Sequence, residues 1–194
     1  MTGKSVGKRK KMAANDKNKV TILKLRRQKK EGKKTVFVTA YDYPQAIITD
    51  GAGVDAILVG DSLGMTTLGH KTTIPVTMDQ MISSCEAVSR GAKNAFLVGD
   101  MPYMSYQVSN EEAVHNAGYR VQGKTAAQAE IILEQALALQ EAGCSFLLLE
   151  GMPRESASMI AEKLEIPVYG IGAGDKVDGQ LVIFHDLIGL FWEF

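Results

Sequence analysis

Two short stretches of this chain echo each other and end on the same acid. Ala56-Ile57-Leu58-Val59-Gly60-Asp61 recurs 39 residues later as Ala95-Phe96-Leu97-Val98-Gly99-Asp100, a spacing that suits one βα unit. Leu147-Leu148-Leu149-Glu150-Gly151 sets a third carboxylate after a third apolar run. Each run reads as a buried strand, and each acid falls where the strand gives way to a loop. In parallel βα folds all strand C-termini lie on one face, so Asp61, Asp100 and Glu150 are expected to share a rim. Three carboxylates there repel one another unless a cation sits among them. Mg²⁺ takes oxygen ligands, often one or two carboxylates, and completes its shell with water and substrate oxygens. Asp61 and Asp100 fit that role, leaving Glu150 as a proton acceptor or donor. A strand-end acid can instead cap the next helix; three in matched contexts favour a site.

Other reactive residue types carry less. Gly170-Ile171-Gly172-Ala173-Gly174 follows a strand and would let a ligand approach the backbone, but it is neither a dinucleotide fingerprint nor a Walker loop. His70, His115 and His185 have no metal-ligand spacing and read as surface or packing residues. Cys85 and Cys144 form no C-x-x-C pair, so they read as small buried hydrophobes, with neither a disulfide framework nor a zinc site. Met101, Tyr103, Met104 and Tyr106 after Asp100 either wall a pocket or pack a loop.

The elements that must position these residues alternate along the chain. A basic helix starts at Thr21 and is stopped by Gly32. Strands are expected at 36–40, 56–60, 95–99, 145–149 and 166–170, with a sixth at 181–184. Helices are expected at 44–50, 78–89, 125–142 and 156–164. The 125–142 helix has Thr125 as N-cap and Gly143 at its end, with Ile131, Leu133, Ala136, Leu137 and Leu139 as its apolar face. Unalternating apolar strands between helices indicate a parallel sheet covered on both faces.

The chain has 194 residues, 45% of them hydrophobic and 23% charged, with 22 basic against 22 acidic. That composition excludes fibrous, membrane-spanning and wholly disordered classes. The zero balance is uneven: Met1 to Lys34 holds 14 basic and 2 acidic residues, and the remainder 8 and 20. The basic block has no interleaved aromatics and no zinc or RNA-binding signature, so nucleic acid is not expected as a partner. Residues 1–34 read as a solvated leader running into the first helix, and 35–194 as the folded domain. Without a signal peptide or transit-peptide pattern, the chain reads as cytoplasmic.

Several motifs resemble ketopantoate hydroxymethyltransferases. They are Thr39-Ala40-Tyr41-Asp42-Tyr43, Val59-Gly60-Asp61-Ser62-Leu63-Gly64-Met65, Gly69-His70, and Thr73-Ile74-Pro75-Val76-Thr77. Further along come Arg90-Gly91-Ala92, Asp100-Met101-Pro102-Tyr103, Gly118-Tyr119-Arg120-Val121-Gln122-Gly123, Leu149-Glu150, 166–174, Asp178-Gly179-Gln180 and His185-Asp186. The resemblance implies an α/β fold of the (βα)8 TIM-barrel family and a homo-oligomer, a decamer in the family. It also implies transfer of a hydroxymethyl group from 5,10-methylenetetrahydrofolate to 3-methyl-2-oxobutanoate, giving 2-dehydropantoate for pantothenate synthesis. Asp61 and Asp100 would then be Mg²⁺ ligands, Asp61, Ser62 and Asp100 would touch the keto acid, and Glu150 would be the catalytic acid/base.

The resemblance is interrupted. After Asn116-Ala117 the family continues into a strand with K-(L/I)-E-G-G and another ending in G-H-(I/L)-G before reaching G-G-Y-(K/R)-V-Q-G. Here Ala117 is followed at once by Gly118, so roughly fifty residues are missing, enough for one βα unit plus a strand. They include the family's substrate-binding lysine, its third metal-associated acid and its active-site histidine. The family also continues past the Phe194 position, over residues that would cover Phe191, Trp192 and Phe194. The barrel is therefore expected to be incomplete, with about six of eight strands. The shortened chain is expected to bind Mg²⁺ and the keto acid weakly at most. The alternative readings are a catalytically inactive fragment or variant associating with full-length subunits, a nucleic-acid-binding protein acting through the basic leader, and a lyase or mutase of the related Mg²⁺-dependent barrels.

Overall fold

A computed structural model describes residues 19–103, 105, 121 and 123–190. Its elements run α1 (Ile22–Lys30), β1 (Thr35–Thr39), α2 (Tyr43–Gly51), β2 (Ala56–Val59), α3 (Leu63–Thr66), α4 (Met78–Gly91) and β3 (Phe96–Gly99). They continue with α5 (Ala126–Glu141), β4 (Leu147–Glu150), α6 (Arg154–Lys163), β5 (Val168–Ile171), β6 (Gly179–Val182) and α7 (Phe184–Leu187). The helix starts follow their caps: Thr21, Asp42, Thr77 and Thr125 each accept a hydrogen bond from a backbone N–H of the first turn.

All six strands are parallel and lie in the order β3-β2-β1-β6-β5-β4. The sheet is a curled, incomplete barrel in which the last strand lies beside the first. β6 pairs with β1 from Thr35↔Gly179 to Val38↔Val182, and this seam joins two three-strand halves. The far edges of the sheet are β3 and β4. The Ala117–Gly118 junction and Phe191, Trp192 and Phe194 lie outside the described residues.

Strand alternation sorts the side chains. Ile57 and Val59 point outward with Met81, Val88 and Ala46 beneath α2 and α4. Leu149 and Val168 do the same with Ala136, Ile160 and Ala157 beneath α5 and α6. Phe37, Ala56, Tyr169 and Leu181 point inward and form the concave core. There Phe37 meets Tyr169 edge-on, centroids 5.6 Å apart, and Phe146 tilts against Tyr169 at 5.7 Å. Burial pushes the Tyr169 phenol up to about 12. Among the described residues the helices cover the convex face of the sheet, and its own side chains fill the other. At the open edges Phe96, Val98, Phe146 and Leu148 are only partly buried against this core.

The α5 face corrects one expectation. Ala129 and Ala136 are buried, and Ile132, Leu133 and Leu137 pack beside them, while Ile131 (54%) and Leu139 (44%) are exposed. Apolar residues occupy most of this helix's circumference, so spacing did not single out the buried stripe.

The seam is locked at two points. Lys29 Nζ reaches Asp178 Oδ2 at 2.6 Å with both side chains largely buried, and the same oxygen accepts the Val168 N–H at 2.8 Å. Gly179 lies flat against Thr35: a Cβ there would collide with the Thr35 carbonyl oxygen and lie 2.8 Å from its Cβ. Gly179→Ala is therefore expected to destabilise the fold by about 1–3 kcal/mol through overpacking. Gly51→Ala, with open space around it, serves as the control and should be neutral or slightly stabilising. Urea midpoints of the two variants check this; equal midpoints would remove the seam from its central place.

Candidate functional site

Alternation also places the acids. Phe96 and Val98 face the concave core, and Asp100 continues their phase one residue beyond β3. Phe146 and Leu148 do the same, and Glu150 continues theirs as the last residue of β4. Asp61 follows β2 and Gly60. All three carboxylates stand at the C-terminal mouth of the barrel, as the echo in the sequence predicts.

They sense one another there. The Asp61 N–H donates to Asp100 Oδ2 at 3.4 Å, and the Met101 N–H donates to Asp100 Oδ1 at 2.9 Å. The Asp61 carboxyl is pushed above the usual range, first by burial and then by the charge of Asp100, against hydrogen bonds from the Thr73 side chain and the Ser62 backbone. The Glu150 carboxyl is pushed up first by desolvation and then by the charges of Asp61 and Asp100. Glu150 lies across the barrel mouth from the other two, since β4 is separated from β2 and β3 by β5, β6 and β1. Among the described residues no three His, Cys, Asp or Glu side chains are close enough to hold a metal ion by themselves.

Helix capping does not account for Asp61 or Glu150. The N-cap of α3 is Ser62 and that of α6 is Pro153, neither with a side-chain cap bond. The Ser62 hydroxyl turns away from its helix to Tyr41, Oη to Oγ 2.8 Å.

The glycine loop has a different use from ligand approach at one of its positions. Gly174 (φ +77°) lies against α6, where a Cβ would be 2.7 Å from Arg154 Cβ and Cγ, and Arg154 pairs with Asp175 at 2.7 Å. Gly172 (φ +60°) has only the Gly151 backbone nearby, at 3.9 Å. His185 is a packing residue, 8% exposed. Cys85 and Cys144 are half-buried against the two outer cores. Met101 is exposed and Tyr103 half-buried; Met104, Tyr106 and His115 lie outside the described residues.

Sequence reasoning missed Tyr41 and Thr73 as rim residues. Tyr41 follows β1, and the strand-end rule applied to the other strands would have found it. Thr73 sits in the loop after α3, where no periodicity points.

The comparisons agree with this architecture. The family model for ketopantoate hydroxymethyltransferase matches in two stretches, 19–118 and 115–194. The 3-methyl-2-oxobutanoate hydroxymethyltransferase of Thermoanaerobacter sp. (strain X514) is 41% identical over 221 residues, taking in 89% of this chain and 81% of that protein. The enzyme of the same name from Alkaliphilus metalliredigens is 41% identical over 225 residues, with 91% and 79% covered. An alignment of 221 residues that uses 89% of a 194-residue chain leaves about fifty positions unmatched, the size of a βα unit and a strand. Two solved structures of phosphonopyruvate hydrolase, one complexed with oxalate and Mg²⁺, share the fold at TM-scores of 0.59 and 0.61 and 12% identity. Each covers 88% of this chain and 83% of that one.

Raised carboxyls have a consequence for stability. In the folded state Asp61 and Glu150 hold their protons to higher pH than in the unfolded chain, so their contribution favours folding at low pH. It is complete below the unfolded values near about 4 and is lost as pH rises through the raised folded values. Asp61→Asn and Glu150→Gln should each stabilise the fold at pH 7, by less than about 1 kcal/mol because the rim faces water, and so raise the melting temperature. The gain should vanish near pH 3. Thermal unfolding at the two pH values checks the sign; a variant less stable at pH 7 contradicts it.

Proposed function

The chain belongs to the ketopantoate hydroxymethyltransferase family, and from that membership we propose that it is a 3-methyl-2-oxobutanoate hydroxymethyltransferase. It would transfer a hydroxymethyl group from 5,10-methylenetetrahydrofolate to 3-methyl-2-oxobutanoate, giving 2-dehydropantoate for pantothenate synthesis. The observation that carries the reading is the arrangement of Asp61, Asp100 and Glu150 around one barrel mouth, at the strand ends where this family's motifs lie.

Asp61 and Asp100 are the residues that would hold Mg²⁺. The donor set fits: two carboxylates at one rim, one of them resisting ionisation beside the other, are the share of a Mg²⁺ shell that a protein commonly supplies. The ion would supply Lewis-acid polarisation of the substrate's carboxylate and keto oxygens. Ser62, next to Asp61, would bind the keto acid together with the two aspartates. Glu150 would take the proton from the carbon beside the keto group, so that this carbon can bond to the one-carbon unit as that unit's bonds to the folate nitrogens break, with water supplying the hydroxyl oxygen and tetrahydrofolate leaving. A raised carboxyl suits the task, because a base whose conjugate acid is weaker removes a carbon-bound proton more readily. Homo-oligomeric assembly and a cytoplasmic location accompany this reading; among the described residues no helix is long and apolar enough to cross a membrane.

The missing segment sets the level of activity. The family's substrate-binding lysine, third metal-associated acid and active-site histidine fall within it, and β3 and β4 are left as edges. Binding of keto acid and Mg²⁺ is therefore expected in the millimolar range, about 4 kcal/mol of free energy. Ligand-observed NMR with 3-methyl-2-oxobutanoate and Mg²⁺ measures this. Any ketopantoate formed in a coupled assay should disappear with Glu150→Gln while keto-acid binding persists. Its rate should fall on the acid side at a pH above the ordinary glutamate value. An active Glu150→Gln protein overturns the assignment of the base.

The open edges favour a second reading, a catalytically inactive variant that associates with full-length subunits. Co-expression of tagged chain with an intact family member discriminates: a stable mixed assembly supports this reading, and separate elution counts against it.

A further inference from the structure

We propose that Tyr41 is a positioning residue for the keto-acid site, acting through Ser62: its phenol donates to Ser62 Oγ and leaves the serine proton directed at an anionic oxygen of the bound substrate. This rests on the functional reading above and adds a residue to which the preceding assignments give no role.

The geometry begins with what Ser62 does not do. It occupies the N-cap of α3, where a serine ordinarily accepts a hydrogen bond from its own helix, yet it makes no side-chain cap bond. Its Oγ lies 2.8 Å from Tyr41 Oη instead. Gly60 permits that placement, since a Cβ at Gly60 would sit 3.1 Å from the same oxygen. The Ser62 carbonyl is held in turn by the Thr66 hydroxyl at 3.0 Å. The serine is thereby committed to the rim rather than to its helix.

Tyr41 is fixed more firmly than one hydrogen bond to a serine requires. It is 3% exposed, its N–H donates to Gln45 Oε1 at 3.0 Å, and its ring stacks on His185 at 5.5 Å and 28°. His185 is held edge-on by Phe184 at 5.9 Å, whose backbone N–H donates to Thr39 Oγ1 at 3.0 Å. The buried His185 Nδ1 has no hydrogen-bond partner among the described residues, so the imidazole serves as a flat support. The stack therefore ties the ends of β1 and β6 to the residue beside Asp61.

Chemistry sets the direction of the hydrogen bond. A phenol is a far stronger acid than an aliphatic hydroxyl, so Tyr41 is the better donor of the pair. Burial pushes its pKa further up, so the phenol keeps its proton. Ser62 then accepts from Tyr41 and donates onward. A neutral donor beside two aspartates helps a substrate carboxylate to settle where side-chain charge alone would repel it.

The test is keto-acid binding by the full-length chain, read by ligand-observed NMR with 3-methyl-2-oxobutanoate and Mg²⁺ up to tens of millimolar. Tyr41→Phe keeps the ring and its stack and removes only the O–H. It should raise the Kd about three- to tenfold, the worth of one ordinary hydrogen bond. Mg²⁺ binding without keto acid should stay unchanged. Ser62→Ala should weaken binding to the same extent, and Tyr41→Phe added to Ser62→Ala should cost nothing more. A purely structural tyrosine would instead add its effect to that of Ser62→Ala and shift Mg²⁺ binding as well, and that result overturns the proposal. So does a Tyr41→Phe protein with unaltered Kd while wild type binds. Absence of keto-acid binding by wild type sinks the functional reading itself, and this proposal with it. The two failures are therefore separable.

Discussion

The pairing of β6 with β1 is the constraint on which the rest of the molecule depends. It joins the first strand to the last across nearly the whole described chain, and among the described residues it is the only ladder linking the N-terminal half of the sheet to the C-terminal half. Local order cannot supply it, because each half carries its own outer core of helix on sheet and could form without the other. What the seam adds is the concave layer, where Phe37 from one half meets Tyr169 and Phe146 from the other. The residues that hold it are small in number and specific in kind. A glycine lets Thr35 approach, and a buried aspartate binds Lys29 of α1 and the backbone of β5 through a single oxygen.

The site follows from that seam. Asp61 and Asp100 belong to one half and Glu150 to the other, so the aspartate pair and the glutamate share one mouth only while β1 and β6 stay paired. Their mutual repulsion opposes the fold, modestly because the rim is wet. The same repulsion is useful in a keto-acid site, because it leaves the aspartates in want of a cation and keeps the glutamate basic. A cluster of acids that costs stability and gathers on the strand-end face is the kind of feature a functional site leaves in a fold.

Much of this was legible in the residues. The doubled strand motif ending in Asp61 and Asp100 placed the rim before any coordinates, because a parallel βα chain has one C-terminal face and the acids mark it. The caps Thr21 and Thr125 were readable because a hydroxyl beside a helical period has a local meaning. What escaped was set by tertiary neighbours. The buried stripe of α5 depends on which side of an almost wholly apolar helix meets α6. Gly174 reads in sequence as a ligand loop and in space makes room for Arg154. Tyr41 reads as one tyrosine among six, and only its distance to Ser62 gives it a role.

The incomplete barrel can be argued from the same physics. A closed eight-stranded sheet has no edges, and every inward side chain is covered by strands on both sides. Removing two adjacent strands leaves the seam and both outer cores intact, since each of those depends on neighbours that are still present. The loss falls on β3 and β4, whose inward residues Phe96, Val98, Phe146 and Leu148 are only partly buried, as are Leu58 and Ile171 on the neighbouring strands. These two strands also carry Asp100 and Glu150, so the residues assigned to metal binding and proton transfer stand on the least supported part of the sheet. A carboxylate at a sheet edge is held by one neighbouring strand rather than two, and its position is correspondingly less well defined. Catalysis demands placement to within a fraction of an ångström, whereas binding tolerates more. Deletion of these two strands therefore degrades the reaction before it degrades recognition of the substrate, and both before it degrades the fold.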